Sequence, residues 1–586
     1  MSNQQRLLAF WGAGMGTAVL LFAFFFALSR PAQAISCNVS GGGSIQSAID
    51  NVSCDTIIVA AGTFMENLDI GRSVTIQGAG ASSTIVNGGG NGRVVTINGN
   101  VTVTLENLRL TNGDATSEST RSREGGGILV TGGATLHGNY LQLDNNIASS
   151  STSGFGGGIS INTGSATISN TVVSQNFANK RSGTLTGSGK GGGIFVNGPT
   201  GNSYLSLYNS QILSNTAAYR AANTSSTQTA AGGGLAVNEN ATANLNGNVW
   251  QGNVARGSNS GNCSICTTTD PSGDGGAIAV LVTTQEAQLM VNGDRFLNNV
   301  ANASPDDYGS NERAAGGAIS LMATNTAGRI TGTITSAYMS GNAAKAGATN
   351  TGEGWGGAIH ARGATLIVRQ STILDNVSDA RGVEGFGGGV YVREPNTGDY
   401  LEVTGSVIAG NTAANSTSAG AQIHVNYTTD NSNRATILHS TLADDAQSQN
   451  TALFYNGPTA GDELFIGNTI FANHVNGIHN VNATGWARAR YLLFYNVTNE
   501  QAAGSTGFPG SPSDTTTWIT GNPLFVDAAN GDYHIQPGSA AQDTGNNEAG
   551  YYYSPDVDGD ARPQGADYDI GADELVYALY LPLIIK

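Results

Sequence analysis

The chain has 586 residues, a formal net charge of −17, only 11% charged residues, 39% hydrophobic residues and 83 glycines. This balance excludes a nucleic-acid partner, which needs basic patches to neutralise phosphate, yet it leaves enough apolar residues for a core. There is no collagen-like G-x-y period and, beyond the N-terminus, no sustained 3.6-residue apolar period, so the chain reads as all-β.

Residues 1–34 read as an export signal: Arg6, an apolar run over 7–28, then the small-x-small site Ala32-Gln33-Ala34. Uncleaved, the same run is long enough to anchor the chain, and that is the only membrane contact expected. Cys37 and Cys54 bracket a short segment and are expected to form a disulfide. Cys263 and Cys266 form a C-x-x-C in a Gly/Ser/Thr-rich loop. With no further Cys pair or nearby His to complete a zinc site, a local disulfide is expected there too.

Residues 35–124 open with SIQSAID at 44–50, a short amphipathic helix suited to plugging the end of a solenoid. Strand-like runs follow (DTIIV, SVTIQG, TIVNG, VVTING, VTLENLRLTNG). Over 125–500 a repeat dominates. A Gly-Gly-small-apolar phrase begins at Gly125, Gly156, Gly191, Gly232, Gly275, Gly316, Gly356 and Gly387. Each is followed by an apolar phrase ending in Asn146, Asn176, Asn215, Asn253, Asn299, Asn342, Asn376 or Asn411. The first Gly and this Asn are 20 to 26 residues apart, whereas the return to the next glycine pair varies from 10 to 22. A unit of near-constant length with three short β runs cannot bury its apolar side chains alone, but stacked copies can. The expected fold is a right-handed parallel β-helix with three faces. About fourteen coils at ~4.8 Å would give a rod of roughly 65–70 Å, with a variable loop at one corner and the recurrent Asn stacked at a turn.

The alternation of GGA[I/V/L] with FxxN, as in GGAI at 275 and FLNN at 296–299, resembles the repeats of polymorphic outer-membrane proteins and other pectin-lyase-like β-helix proteins. The resemblance covers about residues 38–500. It implies the fold, which hosts lyases, hydrolases, adhesins and binding proteins alike. Residues 501–574 (GNPLFVDAANGDYHIQPGSAAQDTGNN…PDVDGDARPQGADYDIGADE) resemble the choice-of-anchor Q module of secreted bacterial β-helix proteins. The tail at 575–586, VYALYLPLIIK with its preceding residues, looks like YLPL-type tails on exported proteins. Both imply a protein that is secreted or displayed at a bacterial surface, and the chain is expected to be a monomer.

Alternation along each GGxI strand should turn the residue after the Ile or Val outward. Read along the rod, that position is small or neutral until His360, Tyr391 and His424, with Arg362 and Arg393 two residues further on. Glu353 and Glu384 enter at matching positions before aromatics, and Glu394 follows Arg393. Arg forks onto carboxylates, aromatic faces stack on pyranose rings, and paired carboxylates serve as acid and base, so these eight residues are candidates for contact with a polysaccharide or surface glycan. No calcium-binding acidic cluster or paired-Asp motif of the family's enzymes can be matched, so a non-catalytic, adhesin-like or glycan-contacting rod is the expected function. A lyase or hydrolase on the 353–424 face and a purely structural envelope protein are the alternatives. The bland reading of the patch is duplication, with Glu–Arg pairs on a solvated face.

Asp556-x-Asp558-Gly559-Asp560 spaces oxygen ligands as a Ca2+ loop does, but Asp567 stands where the bidentate Glu belongs. A structural turn, with Arg562 paired to Asp567 or Asp569, is the competing reading. No other cofactor is indicated, and His439 and His534 stand alone in the sequence.

Overall fold

The computed structural model describes residues 35–576 except 120, 181–186, 219–229, 258–272, 304–312, 347–351, 380–384, 394–399, 415–419, 428–431, 482–484, 509–513 and 548–554. It is a right-handed parallel β-helix. Cys263, Cys266, Glu384 and Glu394, with the export signal and the C-terminal tail, lie outside the described residues.

The N-terminal helix forms over Ile45–Asp50 and buries Ile45 and Ile49 against the first coils. Ser44 caps it by accepting Ser47 N–H, and the Glu66 carboxylate accepts Ile45 N–H and Gln46 N–H, each at 2.9 Å. The Cys37–Cys54 disulfide closes the loop that contains this helix.

Three parallel ladders make the rod. The first runs through Ile128–Thr131, Ile159–Asn162 and Ile194–Asn197, the second through Thr135–Asn139, Ser165–Ser169 and Ser203–Tyr208, and the third through Gln142–Asp144, Val172–Ser174 and Gln211–Leu213. Alternation sets what is inside. In Glu286–Asn292, Ala287, Leu289 and Val291 are buried while the residues between them are exposed. The glycine phrase has a steric cause. Gly156 has φ 67°, and a Cβ there would strike Ile159 O, while one on Gly157 would strike Gly192 O of the next coil.

The recurrent Asn forms a continuous buried ladder. Asn215 Nδ2 donates to Asn253 Oδ1 at 3.1 Å and to Val173 O at 2.8 Å, while Asn215 N–H donates to the same Asn253 Oδ1. The pattern repeats from Asn146 to Asn411, and every member is 0% exposed. It then changes chemistry: Asn411 donates to Gln422 Oε1, Gln422 donates to Asp444 Oδ1, and Asp444 meets His474 at 3.3 Å.

Two features depart from the expected three-sided coil. The chain between the Asn and the next glycine pair is not merely a variable loop. Its base forms two further parallel sheets, eight strands beginning at Ile147–Ser149 and seven beginning at Gly154–Phe155, among the described residues. The seven-stranded sheet lies over the outer face of the first ladder. Phe155 packs on Phe195 at 5.2 Å, Ala231 joins Ala279, Leu281 and Met322, and Ala315, Trp355 and Phe386 pack on Tyr391. In addition, the C-terminal segment runs along the outside of the third ladder. Tyr533, Ile535, Ala541, Ile570 and Ala572 pack on Leu374, Val407, Ala409, Ala443, Ile470, Ala472 and Leu493.

Replacing Asn253 by Ala strips Asn215 of the acceptor for both its backbone and side-chain N–H groups. At about 1–3 kcal/mol per orphaned buried group, the loss should reach roughly 3 kcal/mol and appear as a lowered urea midpoint. An unchanged midpoint would show that the ladder is dispensable.

Candidate functional site

The three residues expected to face outward as the centre of the patch are buried: His360 is 0%, Tyr391 3% and His424 3% exposed. Their side chains do leave the core side of the strand, but the seven-stranded sheet covers them. This corrects the expectation of a solvent-facing patch. The physical reason is that a strand has two faces and the returning chain supplies a second apolar layer.

Under that layer the rings form a row. Trp355 and His360 are 5.5 Å apart, His360 and Tyr391 5.9 Å, and Tyr391 and His424 5.1 Å; His424 stacks on Phe454 at 4.3 Å. Arg313 and Arg393 both lie against Trp355, at 4.9 and 4.7 Å. Glu353 accepts Trp355 Nε1–H at 3.1 Å and pairs with Arg313 at 2.9 Å. Glu353, Arg393 and the aromatics are therefore brought together, but as a packed layer in which Glu353 is held by Trp355 and Arg313, while His360 Nε2 and His424 Nδ1 are buried without a hydrogen-bond partner among the described residues. Arg362, half-buried, sits beside this layer, and its charge and that of Arg393 act on His360. Burial, with those guanidiniums adding, holds the His360 imidazole well below its ordinary range, and burial pushes the Tyr391 phenol up. The row packs well, and its two imidazoles are covered from solvent.

The second ladder presents a different surface that the strand-by-strand reading of the first ladder did not reach. Its outward positions in successive coils are in register: Tyr400, Arg434, Glu463 and Trp486 in one row, and Arg369, Thr404, Leu438, Gly467 and Arg490 in another. Between them run Glu402, Thr436, Phe465 and Arg488, of which the first three are buried. The surface layer is made of long side chains. Arg434 stacks on Tyr400 at 5.8 Å and meets Glu463 at 3.7 Å, Arg369 meets Glu402 at 2.5 Å, and Trp486 packs on Phe465 at 6.1 Å. Tyr400 O–H donates to Glu402 Oε2 at 2.9 Å, and burial beside that carboxylate pushes the phenol up to about 12. Arg369 and Arg434 keep 41% and 38% of their side-chain surface exposed. Among the described residues of these rows, four guanidiniums stand against two carboxylates, which makes the strip locally basic on a chain whose net charge is −17. The signal was present in ATLIVR, YLEVT, RATIL and WARARY, where an Arg or aromatic recurs at the alternate, outward positions.

The Asp556–Asp560 stretch is a turn. Asp556 is 0% exposed; its Oδ1 accepts Asp558 N–H and Asp560 N–H, and its Oδ2 accepts Glu574 N–H. Its oxygens are thus committed to backbone, and the expected Asp556/Asp558/Asp560 ligand set does not converge. Arg562 pairs with Glu574 at 3.1 Å, not with an Asp567 or Asp569 carboxylate. Asp558 instead turns to His534, at 2.8 Å.

No protein-family model matches the chain, and no curated protein matches it. Solved structures to which it is similar include the catalytic domain of GH87 alpha-1,3-glucanase in complex with nigerose, at 13% identity and a TM-score of 0.29, over 84% of this chain and 69% of that chain. Another is pectate lyase Pel9A, at 11% identity and a TM-score of 0.26, over 92% of this chain and 96% of that chain.

Two expected outcomes separate packing from contact at the first ladder. Tyr391→Ala should lower stability by about 3–5 kcal/mol in denaturant titrations, as an emptied aromatic site does. His424, pushed down to about 3 by burial with His479 adding, protonates near 6.5 only when unfolded. Its contribution is thus complete above pH 6.5 and is lost as pH falls toward 3. His424→Phe should retain the stack on Phe454 and flatten the fall of the urea midpoint between pH 6.5 and 4; an unchanged slope would place a charged imidazole in the fold.

Proposed function

We propose that the protein is a non-catalytic β-helix rod, secreted or displayed at a bacterial surface, that holds an acidic polysaccharide along the second ladder through Arg369, Arg434, Trp486, Arg488 and Arg490. The observation that carries this reading is the locally basic, aromatic strip on an otherwise acidic chain. Guanidiniums are suited to forking onto carboxylates, and the Tyr400 and Trp486 rings to lying on pyranose faces. Coils about 4.8 Å apart repeat such contacts along a polymer. Beyond the strip, the net negative charge disfavours a highly charged partner, so recognition rests on short-range contacts at these residues.

The strip pairs its carboxylates with Arg369 and Arg434, which supports holding a ligand over acid–base turnover. The decisive measurement is retention on immobilised uronate-containing and neutral polysaccharides, with assays for new reducing ends and new double bonds. Retention on the uronate polymers, reduced at least tenfold by Arg488→Ala combined with Arg490→Ala and unaffected by Tyr391→Phe, is expected. Equal retention on neutral polymers would defeat the acidic-ligand reading, and turnover would replace it with an enzyme.

A further inference from the structure

His534 is placed between three carboxylates: Asp532, two residues before it in the same strand, and Asp558 and Asp573 from later in the C-terminal region. Its Nδ1 lies 2.6 Å from Asp532 Oδ1 and its Nε2 2.8 Å from Asp558 Oδ2, while single ligand atoms of His534, Asp558 and Asp573 all fall within 4.8 Å of one another. Asp573 is only 7% exposed and accepts one hydrogen bond, from Ile535 N–H to Oδ2 at 2.7 Å, so acceptor capacity remains on its carboxylate.

The arrangement has a specific electrostatic consequence. With the Nδ1 proton directed at Asp532, a neutral imidazole would aim its Nε2 lone pair at the Asp558 carboxylate. Two acceptors cannot sit 2.8 Å apart unless a cation stands between them. That cation is either a second proton or a metal ion. A carboxylate on the far ring nitrogen is also how metal-ligating histidines are oriented and made more basic.

We propose that His534, Asp558 and Asp573 bind a borderline divalent cation of the Zn2+ class, with Asp532 orienting the imidazole. The imidazole ligand argues against Ca2+, which takes oxygen ligands, and favours a metal that accepts nitrogen and carboxylate together. Bonds of about 2.0–2.2 Å would bring the three ligand atoms to roughly 3–3.5 Å from one another, which the exposed Asp558 side chain can meet by moving inward. The metal displaces the proton on Nε2, and that proton leaves to solvent. Asp532, Asp558 and Asp573 face the ring, and Asp556 and Arg562 act on Asp573, so four acidic groups and one basic group set the competition between proton and metal.

The test is titration of the chelator-treated full chain with ZnCl2, and separately CaCl2, by calorimetry and thermal unfolding at pH 7.5 and 6.0. One Zn2+ per chain is expected, with a raised melting temperature, affinity weakened by up to about tenfold per pH unit where Nε2 is protonated, and no response to Ca2+. His534→Ala and Asp558→Asn, both at exposed or half-exposed positions, should fold normally and lose the response, and Asp532→Asn should weaken it. A wild type that ignores Zn2+, or variants that keep the full response, would overturn the site and leave a protonated His534 clasp.

Discussion

The structure depends on satisfying the polar backbone at a corner that is stacked again and again and sealed from water. A buried amide N–H without a partner costs about 1–3 kcal/mol, and each coil places at least one at the turn after the third ladder. Asn answers this demand because one side chain accepts from the coil before it and donates both to that coil's backbone and to the next Asn. The bond from Asn215 to Asn253 is one link of that chain, with its neighbours extending from Asn146 to Asn411. Once the corner is fixed, the register of all three ladders follows, because a one-residue slip would turn every inward Val, Ile and Leu outward.

The same constraint sorts the side chains that look functional. On the first ladder the chain returns over its own outer face, so rings and guanidiniums packed there become a second core layer. On the second ladder, among the described residues, no returning strand of these two sheets intervenes, and the Arg and aromatic side chains of the later coils form the surface themselves. Chemically similar residues, Trp355 with Arg393 and Tyr400 with Arg434, therefore occupy opposite environments within neighbouring coils.

Much of the fold was legible because it rests on periodicities: the GGxI and apolar-x-x-Asn phrases, the alternation within strands, the helix at Ile45–Asp50 and the Cys37–Cys54 bridge. What the letters could not supply was the path of the segment between Asn and Gly-Gly. Its length varies, and its two-residue strands such as Gly154–Phe155 carry almost no pattern, yet their placement decides whether His360 faces water or Trp355. His534 was opaque for a related reason. Asp558 and Asp573 lie far from it in sequence and reach it only after the C-terminal segment has folded on itself. The DxDGD spacing, conversely, suggested three ligands where the fold uses Asp556 to hold its own turn.

The position of the C-terminal segment changes the mechanics of the rod. A solenoid is held by contacts between nearest coils, so it can unzip from an end one coil at a time. Here Tyr533, Ile535, Ala541, Ile570 and Ala572 lie across Leu374, Val407, Ala443, Ile470 and Leu493, which belong to successive coils, and Gly571 N–H and Ala572 N–H bond to Asn468 O and Thr441 Oγ1. The segment is a splint laid along the grain. Peeling the last coil requires lifting the splint from the earlier ones too, so this end of the rod yields as a block and the coils nearer the N-terminus retain coil-by-coil freedom.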